Sequence, residues 1–452
     1  MSCAVVPNAK AFFSDVERLE QSPDLIMKRE ALRGSSSRGP TSITVFWPIQ
    51  FRKGQFSLSL CRAAVEILTK RHPNLQTSFS IRDAAVKWFQ LTPAHVPIRE
   101  YKDDGSLDFW RKMVKSELRE PFNNPDRPAW RVAFATDKEK RTAFMAITIL
   151  HALGDGVCLG RLAVQFNETV ARLIAKQPIF EPARLVSPPL NTLLEKFPHP
   201  IGEPVIPQLP APFYPSATGF SKHAFTKSPE LVQNLATYCR KHGIKIHSAL
   251  EAALVLAVKK VKPSPFATFT ALSIVSLRDS LGVSKDDFRP LFSMVAVDGV
   301  DPNQSFLKIA QKIHTDLHSQ LKAGKHVDSL KATEQELARN PTAEEMVSQI
   351  RIPPNLINVT NRQELGSSGS YPEGAADPVL TMPGIYGVGG NSPYFGLQGP
   401  GGIGITVGVT TFNGIFFTTA SSLEDPKIGI SERESEAILK EMENILIEVV
   451  RN

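Results

Sequence analysis

The sequence is poor in the features that define several protein classes. Its four cysteines, Cys3, Cys61, Cys158 and Cys239, are scattered over 452 residues, which argues against a disulfide framework and a zinc knuckle and fits a reducing compartment. No segment approaches the roughly 18 to 20 continuous apolar residues of a membrane span, and the first residues show no basic-then-apolar export signal, so the expected location is cytoplasmic. A Gly-x-Ser-x-Gly elbow is missing, which counts against a serine hydrolase. Internal repeats and heptad arrays are missing too. The net charge of +7 is spread over 52 basic and 45 acidic residues that interleave along the chain, so nucleic acid is not an implied partner.

What is present is the composition of a globular protein: 42% hydrophobic and 21% charged residues exclude a largely disordered chain. The length exceeds what one core serves, so two domains are expected. The patterning predicts a short opening helix over 12–22, a loop from Gly34 to Pro40 and a strand over 42–47. A helix over 57–71 presents Leu58, Cys61, Ala64, Val65 and Leu68 on one face and stops before His72-Pro73. Nine prolines between Pro182 and Pro212 predict an irregular crossover. The expected division is therefore an N-terminal domain over 1–177, a crossover over 178–215 and a C-terminal domain over 216–452. In the last, the pattern predicts a helix over 245–257, strands at 268–276 and 355–360, and a Gly-, Ser- and Pro-rich loop over 366–404. A hairpin over 405–420 turns on Asn413-Gly414, and a closing helix starts near Ser431.

The chemistry concentrates after 143–150, Ala-Phe-Met-Ala-Ile-Thr-Ile-Leu, an apolar run that predicts a strand buried on both faces. His151 ends it, a Gly154-Asp155-Gly156 corner follows, and Val157, Leu162, Phe166, Val170 and Leu173 then recur at helical spacing. A histidine at the mouth of a buried strand is rigidly aimed and still open to a reactant, and imidazole titrates near neutrality, so it suits a general base. An isolated histidine at a strand end is otherwise a packed residue. Cys158, in the first turn of the following helix, is either a thiol activated by the helix dipole or a buried packing residue, the second being preferred. His314 and His318 share a helical face, but a third metal ligand and a catalytic glutamate are missing, so they read as a solvated helix edge. Lys259, Lys260 and Lys262 follow an apolar helix and are either a solvated helix end or a contact for cofactor phosphates.

The segment His151-Ala-Leu-Gly-Asp155-Gly156 resembles the His-x-x-x-Asp-Gly signature of the CoA-dependent acyltransferase superfamily. That superfamily includes chloramphenicol acetyltransferase, the plant BAHD acyltransferases, fungal alcohol acetyltransferases and peptide-synthetase condensation domains. Arg71-His-Pro-Asn-Leu-Gln76-Thr-Ser-Phe79, Glu120-Pro-Phe-Asn-Asn-Pro-Asp-Arg-Pro-Ala-Trp-Arg131 and Val275-Ser-Leu-Arg278 are similar to family segments in the same order. The resemblance implies an α/β fold of two chloramphenicol-acetyltransferase-like domains, each a mixed β-sheet with helices, meeting at an active-site channel. It implies a monomeric acyltransferase of secondary metabolism that transfers an acyl group from acyl-CoA to a small hydroxylated or amino metabolite, with no permanently bound cofactor and no metal. A carrier-protein-bound acyl donor, as in condensation enzymes, and an inactive binding homologue are the alternatives. By the same resemblance His151 is the base, Asp155 and Gly156 hold the corner, and Arg278 is the structural partner of Asp155; condensation domains place an arginine where Gln76 stands. Thr360 or Asn361 is the implied oxyanion donor, and Thr360 is otherwise an ordinary strand residue. The Asp-Phe-Gly-Trp-Gly motif of the plant enzymes is missing; Gly384-Ile-Tyr-Gly-Val-Gly-Gly390 takes its place, without a phosphate-loop context, and is expected to be a mobile loop.

Overall fold

The computed structural model describes residues 17–21, 25–34, 42–82, 85–106, 108–122, 124–137, 139–179, 188–195, 218–263, 267–342, 345, 355–389, 403–423 and 429–451. Two mixed sheets carry the fold. At the centre of the first, strand Thr142–Leu150 (the motif strand) lies between Ser42–Phe51 and Trp130–Thr136, antiparallel to both. Ile98–Tyr101 adds a parallel edge to Trp130–Thr136. The motif strand is buried along nearly its whole length because helices Leu58–Arg71 and Gly156–Ile174 cover one face, and helix Phe109–Arg119 together with Phe220 and Val388 of the second half covers the other. Helix Leu58–Arg71 is capped by Ser57, whose Oγ accepts from Leu60 N at 3.1 Å, and it packs with helix Gly156–Ile174 (the motif helix) on this sheet through Cys61, Val65, Leu162 and Phe166.

The second sheet runs Phe292–Val300, Phe269–Ser276, Asn355–Glu364, Ile403–Phe412, Ile415–Leu423, Thr218–Ala224. Asn355–Glu364 is parallel to both its neighbours. Ile403–Phe412 and Ile415–Leu423 form the hairpin read from Asn413-Gly414, both of which take positive φ, 49° and 71°, as a tight two-residue turn requires. Helices Ile246–Val261, Phe306–Lys322 and Glu432–Arg451 bury Leu254, Ile313 and Leu439 against this sheet. No helix among the described residues is long and apolar enough to cross a membrane.

Four expectations need correcting. Residues 17–21 of the supposed opening helix are a strand, antiparallel to Ala85–Thr92, because edge pairing outweighs the weak helical pattern of a short charged segment. Residues 12–16 and most of the Gly34–Pro40 loop lie outside the described residues. Within the crossover, Leu190–Leu194 is a short helix whose Leu190, Leu193 and Leu194 are buried; it starts directly after Pro189, where the missing proline N–H costs nothing. The 366–404 loop contains strands Ser370–Tyr371, Leu380–Thr381 and Tyr386–Gly389, and the last two pair with Ser42–Phe51 of the first sheet. Tyr386–Gly389 is thus a strand where a mobile loop was expected, seated by Tyr386 stacked on Phe46 at 5.5 Å. Through it the chain returns from the second sheet to the first and ties the halves together.

Candidate active site

A cavity lies between the two sheets, holding about 1240 Å³ of empty space with the solvent open to it included. The first half supplies His151, Asp155, Gly156 and Leu159, and the second supplies Leu272, Phe292, Asn358, Thr360, Arg362 and Thr406, among others. His151 follows the motif strand directly, and the chain then turns so that Gly154 presents its carbonyl back to the ring. His151 Nδ1 lies 3.1 Å from Gly154 O. A carbonyl only accepts, so this contact requires the proton on Nδ1 and leaves the Nε2 lone pair free to take one. The half-buried ring rests against Phe292, centroids 5.1 Å apart, which fixes its plane.

Asp155 faces away from the imidazole and caps the motif helix. Its Oδ1 accepts from Val157 N at 3.1 Å and Cys158 N at 3.0 Å, satisfying two of the helix's unpaired amides. Its Oδ2 accepts from Arg278 Nη1 at 2.6 Å and Leu291 N at 3.1 Å. Burial alone would raise this carboxyl; the Arg278 charge and hydrogen bond, with the Cys158 and Leu291 amides, hold it below the usual carboxylate range. Arg278, 1% exposed, opens the one-turn helix Arg278–Leu281 and also donates from Nη2 to Arg289 O at 2.8 Å and Asp287 O at 3.1 Å. The pair therefore fastens the motif corner to the second half. Gln76 lies elsewhere, donating to Thr69 O and accepting from Gln90.

Cys158 is buried and its Sγ donates toward Arg289 O at 3.3 Å. Burial, with the Asp155 charge, pushes its thiol well above the ordinary range, which removes the thiolate an acyl-cysteine route needs. Thr360 lines the cavity and its Oγ1 donates to Asn358 Oδ1 at 3.1 Å. Asn361, one residue on, is not among the lining residues, as strand alternation requires. The three lysines at the end of Ile246–Val261 do not line the cavity either. Lys259 reaches Asn303 Oδ1, Lys260 pairs with Glu441, and Lys262 donates to Gly429 O, so each cation is engaged on its own surface. His314 and His318 stack 4.3 Å apart on Phe306–Lys322, also off the cavity lining.

Arg362 stands out among the lining residues that the sequence did not single out. Arg362 reaches the cavity two positions after Thr360 on the same strand. The available signal was the alternation Leu356, Asn358, Thr360, Arg362 on the cavity side against Ile357 and Val359 in the second core. The strand read over 355–360 stopped short of Arg362, which the longer strand Asn355–Glu364 carries on the same face.

Residues 217–356 match the family model described as "Phthiocerol/phthiodiolone dimycocerosyl transferase C-terminus". No curated protein matches the sequence. Among solved structures, the chain is similar to trichothecene 15-O-acetyltransferase from Fusarium sporotrichioides, with TM-score 0.67, 12% identity and coverage of 99% of this chain and 100% of that one. It is similar to polyketide synthase associated protein 5 from Mycobacterium tuberculosis (TM-score 0.63, 13% identity, 95% and 100% covered). It is likewise similar to the first condensation domain of the CDA synthetase (TM-score 0.63, 12% identity, 96% and 97% covered). The chain thus has the two-domain α/β fold shared by these acyltransferase and condensation-domain structures, and residues 217–356 carry its match to the dimycocerosyl transferase C-terminal family.

Proposed function

We propose that the protein is an acyltransferase in which His151 removes the proton from a hydroxyl or amine acceptor as it attacks an acyl thioester, with acyl-CoA as donor. The observation that carries this reading is the pairing of His151 Nδ1 with Gly154 O, which leaves Nε2 as an acceptor at the wall of a cavity between the two sheets. The acyltransferase class is supported by the family match and by the fold. Donor and acceptor meet in the cavity in one ternary complex, so alignment supplies much of the rate. The acceptor oxygen or nitrogen bonds to the acyl carbon, its proton passes to Nε2, the carbon–sulfur bond breaks, and the proton is delivered to the departing thiolate. Thr360 is the oxyanion donor of this reading: its hydroxyl is on the cavity wall and turns its one proton from Asn358 Oδ1 to the developing oxyanion. Asp155 and Arg278 hold the corner and take no proton.

The condensation-domain likeness supports a second reading, in which the same base serves a carrier-bound thioester. Purified protein incubated with acetyl-CoA and a panel of alcohols and amines, with free thiol followed over time, is expected to release CoA only when an acceptor is present. Turnover only with a phosphopantetheinylated carrier selects the second reading. Binding without turnover by either donor contradicts both.

A further inference from the structure

Arg362 is the one permanently charged residue of the cavity wall for which the described residues supply no counter-ion. Glu30 Oε1 accepts from Arg29 Nε at 2.8 Å, and Asp155 is taken by Arg278. Arg362 Nη1 is enclosed and has no hydrogen-bond partner, and no ion pair forms at its guanidinium among the described residues. Arg278 differs in that both of its Nη groups are engaged, by a carboxylate and two carbonyls. The side chain is nevertheless held in a bed made for it. A Cβ at Gly156 would lie 2.7 Å from Arg362 Nε and one at Gly408 2.8 Å from Nη2, while one at Gly387 would run into Nη1. Three backbone segments, from both sheets and from the start of the motif helix, thus clamp the guanidinium plane where any side chain would displace it. Gly156 is also the first residue of the motif helix, whose positive end adds to the same potential. Desolvation lowers the Arg362 pKa to about 10, so the group is still cationic at neutral pH.

A lone cation kept unpaired and immobile at a helix start, facing a reactant cavity, is suited to an anion that arrives with the ligand. The geometry points to a carboxylate on one of the two reactants, bound by Arg362, an inference that rests on the acyl-transfer reading. A single planar guanidinium matches a singly charged carboxylate, whereas a phosphate dianion would leave charge uncompensated.

The test compares acids with neutral counterparts in two arms, using the full chain. The donor arm sets succinyl-CoA against butyryl-CoA; the acceptor arm sets hydroxy acids against their methyl esters with acetyl-CoA. Thiol release gives kcat and KM, and thermal-shift titration with the same acids and esters gives binding without turnover. In one arm the wild type is expected to favour the acid by tenfold or more in kcat/KM, mainly through KM, and the identity of that arm names the reactant that carries the carboxylate. In Arg362→Met the acid-to-neutral ratio is expected to fall toward one, and Arg362→Lys to restore part of it. An unchanged ratio in Arg362→Met, or neutral counterparts preferred in both arms, overturns the proposal. So does an equal loss of kcat for acids and neutral compounds, the mark of an oxyanion donor. Should Arg362→Met fail to fold, the wild-type ratio and Arg362→Lys decide. Charge-selective binding without thiol release would uphold the carboxylate site and defeat the acyl-transfer reading instead.

Discussion

His151→Ala is expected to lower acyl transfer by roughly 10²- to 10⁴-fold, the range supplied by a positioned base, while leaving the unfolding midpoint near that of the wild type. The imidazole is half-buried and makes one hydrogen bond, to Gly154 O, so its removal takes little from the core. The loss should fall on kcat, because the ring acts on the proton in flight and not on the resting complex. Thiol release at saturating donor, with a parallel thermal melt, checks both halves of the statement. Wild-type turnover in this variant would remove the base from the mechanism.

Arg278→Met is expected to cost about 3–5 kcal/mol of stability, since it leaves Asp155 charged and buried without its cation. The two side chains are 2% and 8% exposed, so solvent gives little screening. The pH dependence follows from the direction of the Asp155 shift. With Arg278 present the carboxyl is held low, so its contribution is complete above the ordinary carboxylate pKa of about 3.9 and is lost as pH falls through the lower folded value. Without Arg278, burial dominates and raises the carboxyl, so the variant's penalty grows as pH rises through that raised value. The stability gap between wild type and Arg278→Met should therefore be widest near neutrality and narrow toward pH 4, measured by urea unfolding at both values. A gap that does not change with pH would show that the ion pair is not the source of the loss. Activity should fall with stability, because the pair spans 123 residues to hold the motif corner against the second half.

The parts of the fold legible in the sequence are those fixed by local rules. The motif strand announced itself as a continuous apolar run, its helix by the spacing of Val157, Leu162 and Phe166, and the hairpin by Asn413-Gly414, where both residues do take positive φ. Less legible was whatever depends on a distant partner. Residues 17–21 pair with Ala85–Thr92, and Tyr386–Gly389 with Ser42–Phe51; neither segment is long enough to show a period, so pairing alone makes them strands. At the site, His151 and its corner were visible because residues 151–156 are contiguous. The pairing of Asp155 with Arg278 came only through resemblance, since nothing local links positions so far apart. Arg362 was missed because its meaning lies in three glycines at 156, 387 and 408, each unremarkable until the backbone brings them together. The lysines at 259, 260 and 262 read either as a solvated helix end or as phosphate contacts; in the structure each is engaged by a neighbouring group, and the wall that holds His151 is built by other residues.

The most direct measurement is a crystal structure with a thioether analogue of an acyl-CoA. The analogue is expected to lie in the cavity between the sheets, with the carbon standing for the thioester carbonyl beside His151 Nε2 and Nδ1 still paired with Gly154 O. An analogue bound elsewhere, or a cavity filled while His151 Nε2 faces only protein, would contradict that expectation.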